Sequence, residues 1–268
     1  MSLRITQNIE ALTATRNLQA TTNKVTKSME KLSSGYRINS AADDAAGLGI
    51  SEKMRGQVRG LAQAQRNIQD GMSMAQTAEG NLDEVHSMLQ RIRELAVQFK
   101  NGSLDTDAQA SITAEVSQLQ SEIERVGKSA AFNGVSLLST SSSSVITFQV
   151  GANDSDTITM AGMSLEASIT ASTFSLGKNT ILDDVDKAIK AVSTARSTYG
   201  AVQNRLEHTL SVQATYQENL TGAESRIRDV DMAQEMVSLT KNQILSQAGT
   251  AMLSQANQAP QSVLRLLG

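Results

Sequence analysis

The chain has 268 residues, with 24 Lys or Arg against 27 Asp or Glu, a formal net charge of −3 and two histidines. That balance excludes a nucleic-acid binder that works through bulk positive charge, and the absence of cysteine excludes disulfide frameworks, thiolate catalysis and zinc–thiolate sites. Aromatic residues make up 3% and Trp is absent, so the 40% hydrophobic share, carried by Ala, Leu, Ile, Val and Met, suits narrow helical seams better than one bulky core.

The first eight residues lack the basic start, apolar stretch and small-residue cleavage site of a secretory signal, so export is expected to use another route. Ile5, Ile9 and Leu12, then Val25, Met29 and Leu32, fall at helical spacing and predict an amphipathic first helix. Leu82, Val85, Leu89, Ile92, Ala96 and Phe99 recur at alternating intervals of three and four, the stripe of a helix packed along a long partner. That helix is expected from about Ala45 to Lys100, roughly 80 Å at ~1.5 Å per residue. Asn101-Gly102 breaks it, and either Asp105 or Asp107 could cap the next helix, striped by Ile112, Val116, Leu119, Ile123 and Val126.

A Ser-rich run, Ser139–Ser144, follows. Val145–Val150 and Thr157–Met160 then alternate at period two around residues 151–156, which predicts a hairpin. The stretch from Asn133 to about Lys178 is expected to be a small β-rich excursion at the tip of a folded-over rod. The longest stripe is Val185, Ala188, Val192, Ala195, Tyr199, Val202, Leu206, Thr209, Gln213, Tyr216 and Leu220. It predicts one helix from about Asp183 to Val230, roughly 70 Å long. Ile244, Ala248, Ala251, Gln255, Ala259 and Val263 make the last helix, which holds the single proline, Pro260.

The charge-free run from Asn242 to Leu264 is long enough to be tested as a membrane span, but its seven Asn or Gln residues exclude insertion. Helices this long are uncommon in compact domains. The expected fold class is therefore mainly α: an elongated antiparallel helical rod, a coiled-coil-like bundle, with a small β-hairpin region and the N- and C-terminal helices paired at one end. Weakly charged end helices with Ala, Leu and Met stripes suit burial among copies of the chain.

Residues that might carry chemistry have plainer explanations. His86 and His208 lie on different expected helices without metal-ligand spacing. Gly47-Leu48-Gly49 lacks the third glycine, the Walker lysine and the preceding strand of a phosphate loop, so close helix approach explains it better. Asp43 and Asp44 precede an Ala-rich helix and suit capping; Asp154 and Asp156 lack the distal Glu of a calcium loop and suit a turn. Met29, Met54, Met72, Met74, Met88, Met232, Met236 and Met252 are expected to be adaptable seam fillers. Asn101, Asn153 and Asn219 start glycosylation-like triplets that arise often by chance. No cofactor, metal or catalytic residue is expected.

The run Lys31–Ser51, KLSSGYRINSAADDAAGLGIS, resembles the hallmark segment of bacterial flagellins, the subunits of the flagellar filament. Similar to that family too are Arg4–Leu12, Gln90–Gln98, Phe132-Asn133-Gly134 and Gln243–Leu264 with the closing Leu266-Leu267, in the family's order along nearly the whole chain. Tyr36 departs from the Leu usual there. The resemblance implies a minimal flagellin without large outer domains and without enzyme activity. It implies a terminal assembly domain from residues 1–33 and 236–268, connectors at 34–45 and 228–235, and a rod domain at 46–227.

By the same resemblance, filament assembly falls to Ile5, Ile9, Leu12, Val25, Met29, Leu32, Ile244, Ala248, Met252, Val263, Leu264 and Leu267. Implied partners are other copies of the chain, the flagellar type III export apparatus with an export chaperone, and the filament cap and hook-junction proteins. The animal innate-immune flagellin receptor is a further one, met by Arg91, Leu95 and Glu115; Arg91 and Leu95 are i,i+4 neighbours flanking the Leu89/Ile92 seam. Some flagellins carry O-linked sugars on exposed segments, which marks Ser141, Ser142, Ser143 and Ser144. The expected function is a secreted structural subunit of the extracellular filament used for motility. A hook-filament junction protein is the alternative within the class. A signalling coiled coil would need a membrane span or sensory domain, and an enzyme would need a convergent polar constellation.

Overall fold

The computed structural model describes residues 7–138, 145–165, 174, 176 and 180–267, with side chains to residue 258. Helix α1 (Ile9–Ser34) is followed by α2 (Ala45–Phe99) and α3 (Thr106–Ser129). Among the described residues, four short strands come next: β1 (Ala131–Phe132), β2 (Val135–Ser136), β3 (Val145–Gln149) and β4 (Thr157–Ala161). Helices α4 (Ile181–Arg228) and α5 (Met232–Leu267) complete the chain. Predicted helix limits and observed ones agree to within two residues for α2 and α4. The chain divides into two compact units, residues 57–218 and residues 1–56 with 219–268.

The 57–218 unit holds almost all of the core. Leu82, Val85, Leu89, Ile92 and Ala96 of α2 are fully buried, as are Ile181, Val185, Val192 and Leu206 of α4. Within it α2 and α4 run antiparallel, since Arg93 meets Asp186 at 2.7 Å, Arg196 meets Asp83 at 2.7 Å and Gln65 donates to Gln217 at 2.7 Å. These pairs are exposed or half-exposed, so they fix register more than they stabilise. Asp105 is the residue that caps α3, its side chain accepting from the Ala108 N–H at 2.8 Å.

Strands β3 and β4 pair antiparallel from Val145↔Ala161 to Gln149↔Thr157, and Phe148, Ile158 and Met160 turn into the core. Gly71 admits that hairpin onto α2, because a Cβ there would stand 3.2 Å from the Phe148 ring. Asp156 closes the turn by accepting from the Asn153 backbone and side-chain amides at 3.2 and 3.0 Å. A second hairpin, β1–β2, turns on Asn133 and Gly134 at φ 47° and 81°, the left-handed pair that a two-residue reverse turn requires. Residues 139–144 lie outside the described residues, and the four candidate glycosylation serines with them.

In the other unit α1 and α5 pair antiparallel. Asn8 caps α1 by accepting from the Ala11 N–H at 3.0 Å and donates its own amide to the Ala256 carbonyl at 2.8 Å. The half-buried and buried positions Ala11, Ala14, Leu18, Thr21, Val25, Ser28 and Leu32 keep intervals of three and four along α1; Leu239, Asn242, Ser246, Gly249, Leu253 and Ala256 do so along α5. Gly249 lets the helices close, since a Cβ there would lie 3.3 Å from Leu18 Cδ1. Gly35, at φ 76°, ends α1 and accepts from the Val230 N–H at 3.0 Å, while the Arg37 N–H donates to the Arg228 carbonyl at 2.6 Å. Among the described residues, the buried hydrophobic side chains of this unit are Ile38 and Leu239.

Candidate assembly surface

The α1–α5 seam mixes Leu18, Val25, Leu32, Leu239 and Leu253 with Ala, Ser, Gly, Asn and Thr, and leaves other large apolar side chains of both helices off it. On α5, Ile244 is two residues from both Asn242 and Ser246, about 200° around the helix, and so points away from α1. Ile9, Leu12 and Met29 of α1, with Met232, Met236, Val237, Ile244, Leu245 and Met252 of α5, are between 47% and 70% exposed. Met236, Val237, Ile244 and Leu245 line one shallow apolar groove with Thr240 and Lys241. Ile9, Thr13, Asn17, Met252 and Ala256 line another, between the two helices. Contiguous apolar surface of this kind on a soluble chain marks a contact surface. No charge interrupts α5 between Lys241 and Arg265, so copies approaching along this face meet little electrostatic repulsion.

The structure divides the sequence-predicted assembly residues. Ile9, Leu12, Met29, Ile244, Ala248 and Met252 are exposed, whereas Val25 and Leu32 are half-buried on the seam. The side chains of Ile5, Val263, Leu264 and Leu267 lie outside the described residues. The expectation of methionine as seam filler fits Met72, Met74 and Met88 and is corrected for Met29, Met232, Met236 and Met252, which stand off the α1–α5 seam and are open to solvent.

The segment joining α1 to α2 is organised by carboxylates. Asp43 pairs with Lys27 at 3.0 Å and accepts from the Ser40 backbone N–H and hydroxyl, each at 3.1 Å. The Lys27 hydrogen bond, backed by those from Ser40, holds its pKa down to about 2. Asp44 caps α2 by accepting from the Gly47 N–H at 2.9 Å. A Cβ on Gly47 would strike the Asp44 carboxylate and Ile38, so that glycine is needed for close approach. Gly49 is not, since nothing stands within 4 Å of a Cβ there, which corrects the reading of the pair. Glu52 takes the Arg228 guanidinium at 2.7 Å, and this hydrogen bond keeps its carboxyl below the ordinary range. Arg228 also stands 4.7 Å from the centre of the Tyr36 ring, giving that departure from the family pattern a partner.

In the 57–218 unit, Arg91 Nε donates to Glu115 Oε1 at 2.9 Å, and Glu94 lies 3.2 Å from the same guanidinium. Leu95 sits beneath, 2% exposed, as part of the core and not of an open patch. The burial follows from its place beside Ala96 on the stripe that also carries Ile92. His86 hydrogen-bonds Gln90 at 2.9 Å and His208 is exposed. Among the described residues no three His, Cys, Asp or Glu gather as metal ligands, and no helix is long and apolar enough to cross a membrane.

Long helices around one core, with end helices that present apolar faces outward, define a self-assembling helical filament subunit. Comparison with known proteins gives that class its family. The family models for the bacterial flagellin N-terminal and C-terminal helical regions match residues 5–143 and 182–267. The chain is 52% identical over 270 residues to a flagellin of Halalkalibacterium halodurans, covering 98% of this chain and 99% of that one. It is 47% identical over 304 residues to a flagellin of Bacillus subtilis, covering 99% and 100%. A crystal structure of Bacillus cereus flagellin superposes with a TM-score of 0.51 at 31% identity, covering 55% of this chain and 88% of that one. The chain belongs to the bacterial flagellin family. It is a structural subunit of the extracellular flagellar filament and not an enzyme, and no observed feature favours the junction-protein alternative.

Proposed function

We propose that residues 1–33 and 236–268, which hold most of α1 and α5, form the assembly domain of the filament, joined through connectors at 34–45 and 228–235 to a rod domain at 46–227. The observation that carries this reading is the contrast in burial: a terminal unit with hardly any core of its own exposes its largest apolar side chains in stripes. Burying those stripes against other copies contributes about 25 cal/mol per Å², and a head-to-tail contact that does not close on itself yields an open helical filament. A terminal pair with so little core also suits passage of an unfolded chain, with a chaperone, through the flagellar type III export apparatus. Contacts with the cap and hook-junction proteins belong to the same ends. The test is polymerisation of the purified chain with ammonium sulfate, viewed by negative-stain microscopy beside a variant lacking residues 242–268. Filaments from the full chain and monomers from the truncation are expected. Monomers or closed dimers from both would overturn the reading.

A second reading concerns the innate-immune flagellin receptor. Arg91 and Glu115 present a joined, exposed ion pair on α2 and α3, while Leu95, one turn along α2 from Arg91, is buried in the core. Arg91→Ala is expected to weaken signalling in a receptor reporter assay by about tenfold or more, in the range of an interface arginine. Unchanged signalling would remove the receptor from the list of partners.

A further inference from the structure

Methionine is distributed unevenly over this fold. In the 57–218 unit Met74 and Met160 are buried, while Met72, Met88 and Met163 are half-buried. On α1 and α5, Met29, Met232, Met236 and Met252 are each at least half exposed. Met236 lines the groove that holds Ile244, and Met252 lines the one that holds Ile9. The open thioethers of Met29, Met236 and Met252 thus lie on the residues assigned above to subunit contact, and that of Met232 lies one helical turn before Met236 on α5.

Oxidation of a thioether follows its exposure. A peroxide transfers one oxygen to the sulfur: the O–O bond breaks, an S=O bond forms, sulfur loses two electrons and the peroxide leaves as water or, from an organic peroxide, as the alcohol. The product is a polar, chiral sulfoxide where a soft apolar group had been. In the free subunit these positions face solvent, so the added oxygen leaves the core unchanged. In a filament contact the same oxygen must be desolvated among Ile and Leu side chains, which disfavours the contact. We propose that Met29, Met232, Met236 and Met252 form a peroxide-sensitive gate on assembly: free subunits oxidised there are refused by the filament, and subunits already incorporated are shielded. This rests on the assembly reading of α1 and α5.

The test treats the full chain with dilute hydrogen peroxide, maps oxygen addition by peptide mass, and follows salt-induced polymerisation. Oxidation is expected at the four terminal methionines before Met74 and Met160, with melting of the 57–218 unit unchanged and elongation slower by about tenfold or more. Methionine sulfoxide reductases of both epimer classes should restore elongation. Preformed filaments given the same dose should keep the four thioethers reduced. A variant with all four replaced by Leu, compared with its own untreated sample, should change by less than about twofold. Oxidised chain elongating at the untreated rate, failure of the reductases to rescue, or equal oxidation within filaments would each overturn the gate. A Leu variant slowed by peroxide as much as the unsubstituted chain would do the same. If that variant does not polymerise untreated, reductase rescue of the unsubstituted chain decides. Failure of the untreated full chain to polymerise would instead remove the assembly reading, and the gate with it.

Discussion

Ile244→Asp is expected to abolish filament formation at concentrations where the unsubstituted chain polymerises, while the folded 57–218 unit is untouched. Ile244 is 60% exposed, faces away from the α1 seam and lines an apolar groove. An aspartate there meets water in the free subunit and costs little beyond a small loss of helix propensity. Once a second copy covers the groove, the carboxylate is desolvated among Met236, Val237 and Leu245, with Lys241, three residues back in the same groove, as the charge that can meet it. Desolvating an ion costs several kcal/mol, of which an exposed lysine returns only a fraction, and each 1.4 kcal/mol is a factor of ten in association, so the critical concentration should rise about tenfold to a hundredfold. Sedimentation of polymer against total concentration measures this, with a melting curve of the monomer as control. A critical concentration equal to that of the unsubstituted chain would show that the face is not a contact.

Leu89→Ala should do the converse. Leu89 is fully buried in the α2 stripe, and truncation removes its transfer energy and leaves a cavity, for a loss of about 3 kcal/mol. In a unit of this size that corresponds to a fall in Tm of roughly 10 °C. Denaturant unfolding should show a lower midpoint with an unchanged slope, since the surface exposed on unfolding is nearly the same. Below its transition the variant should polymerise at the unsubstituted critical concentration, because the terminal faces are intact. Coincident loss of stability and assembly would mean that the two units do not act separately.

The contrast between these two leucine-like positions explains what was legible in the sequence. Periodicity located α2, α3 and α4 because their seams are made of side chains large enough to register: Leu82, Val85, Leu89 and Ile92 on one helix, Val185, Val192 and Leu206 on another. The same reading found Ile244, Ala248 and Ala251 on α5, but a hydrophobic stripe does not say whether its partner lies in the same chain. The true α1–α5 seam alternates Leu18, Val25, Leu32, Leu239 and Leu253 with Thr21, Ser28, Asn242, Ser246 and Gly249, so hydropathy registers only part of it. Leu95 was misplaced for a related reason, since the width of a buried face is set by how many helices surround it. The β3–β4 hairpin was visible in its alternation. The β1–β2 hairpin had its signal in Asn133-Gly134, a strong two-residue turn dipeptide, yet strands of two residues leave no alternation to read.

The hydrogen bond from Asn8 to Ala256 joins residues 248 apart in sequence. A ribosome makes Asn8 248 residues before Ala256. Until α5 emerges α1 therefore has no mate, whereas α2 and α3 can meet almost as soon as both have emerged. Closure across so long a loop is entropically costly and slow. The order of manufacture thus leaves α1 available, until α5 is made, to whatever in the cell binds an unpaired amphipathic segment.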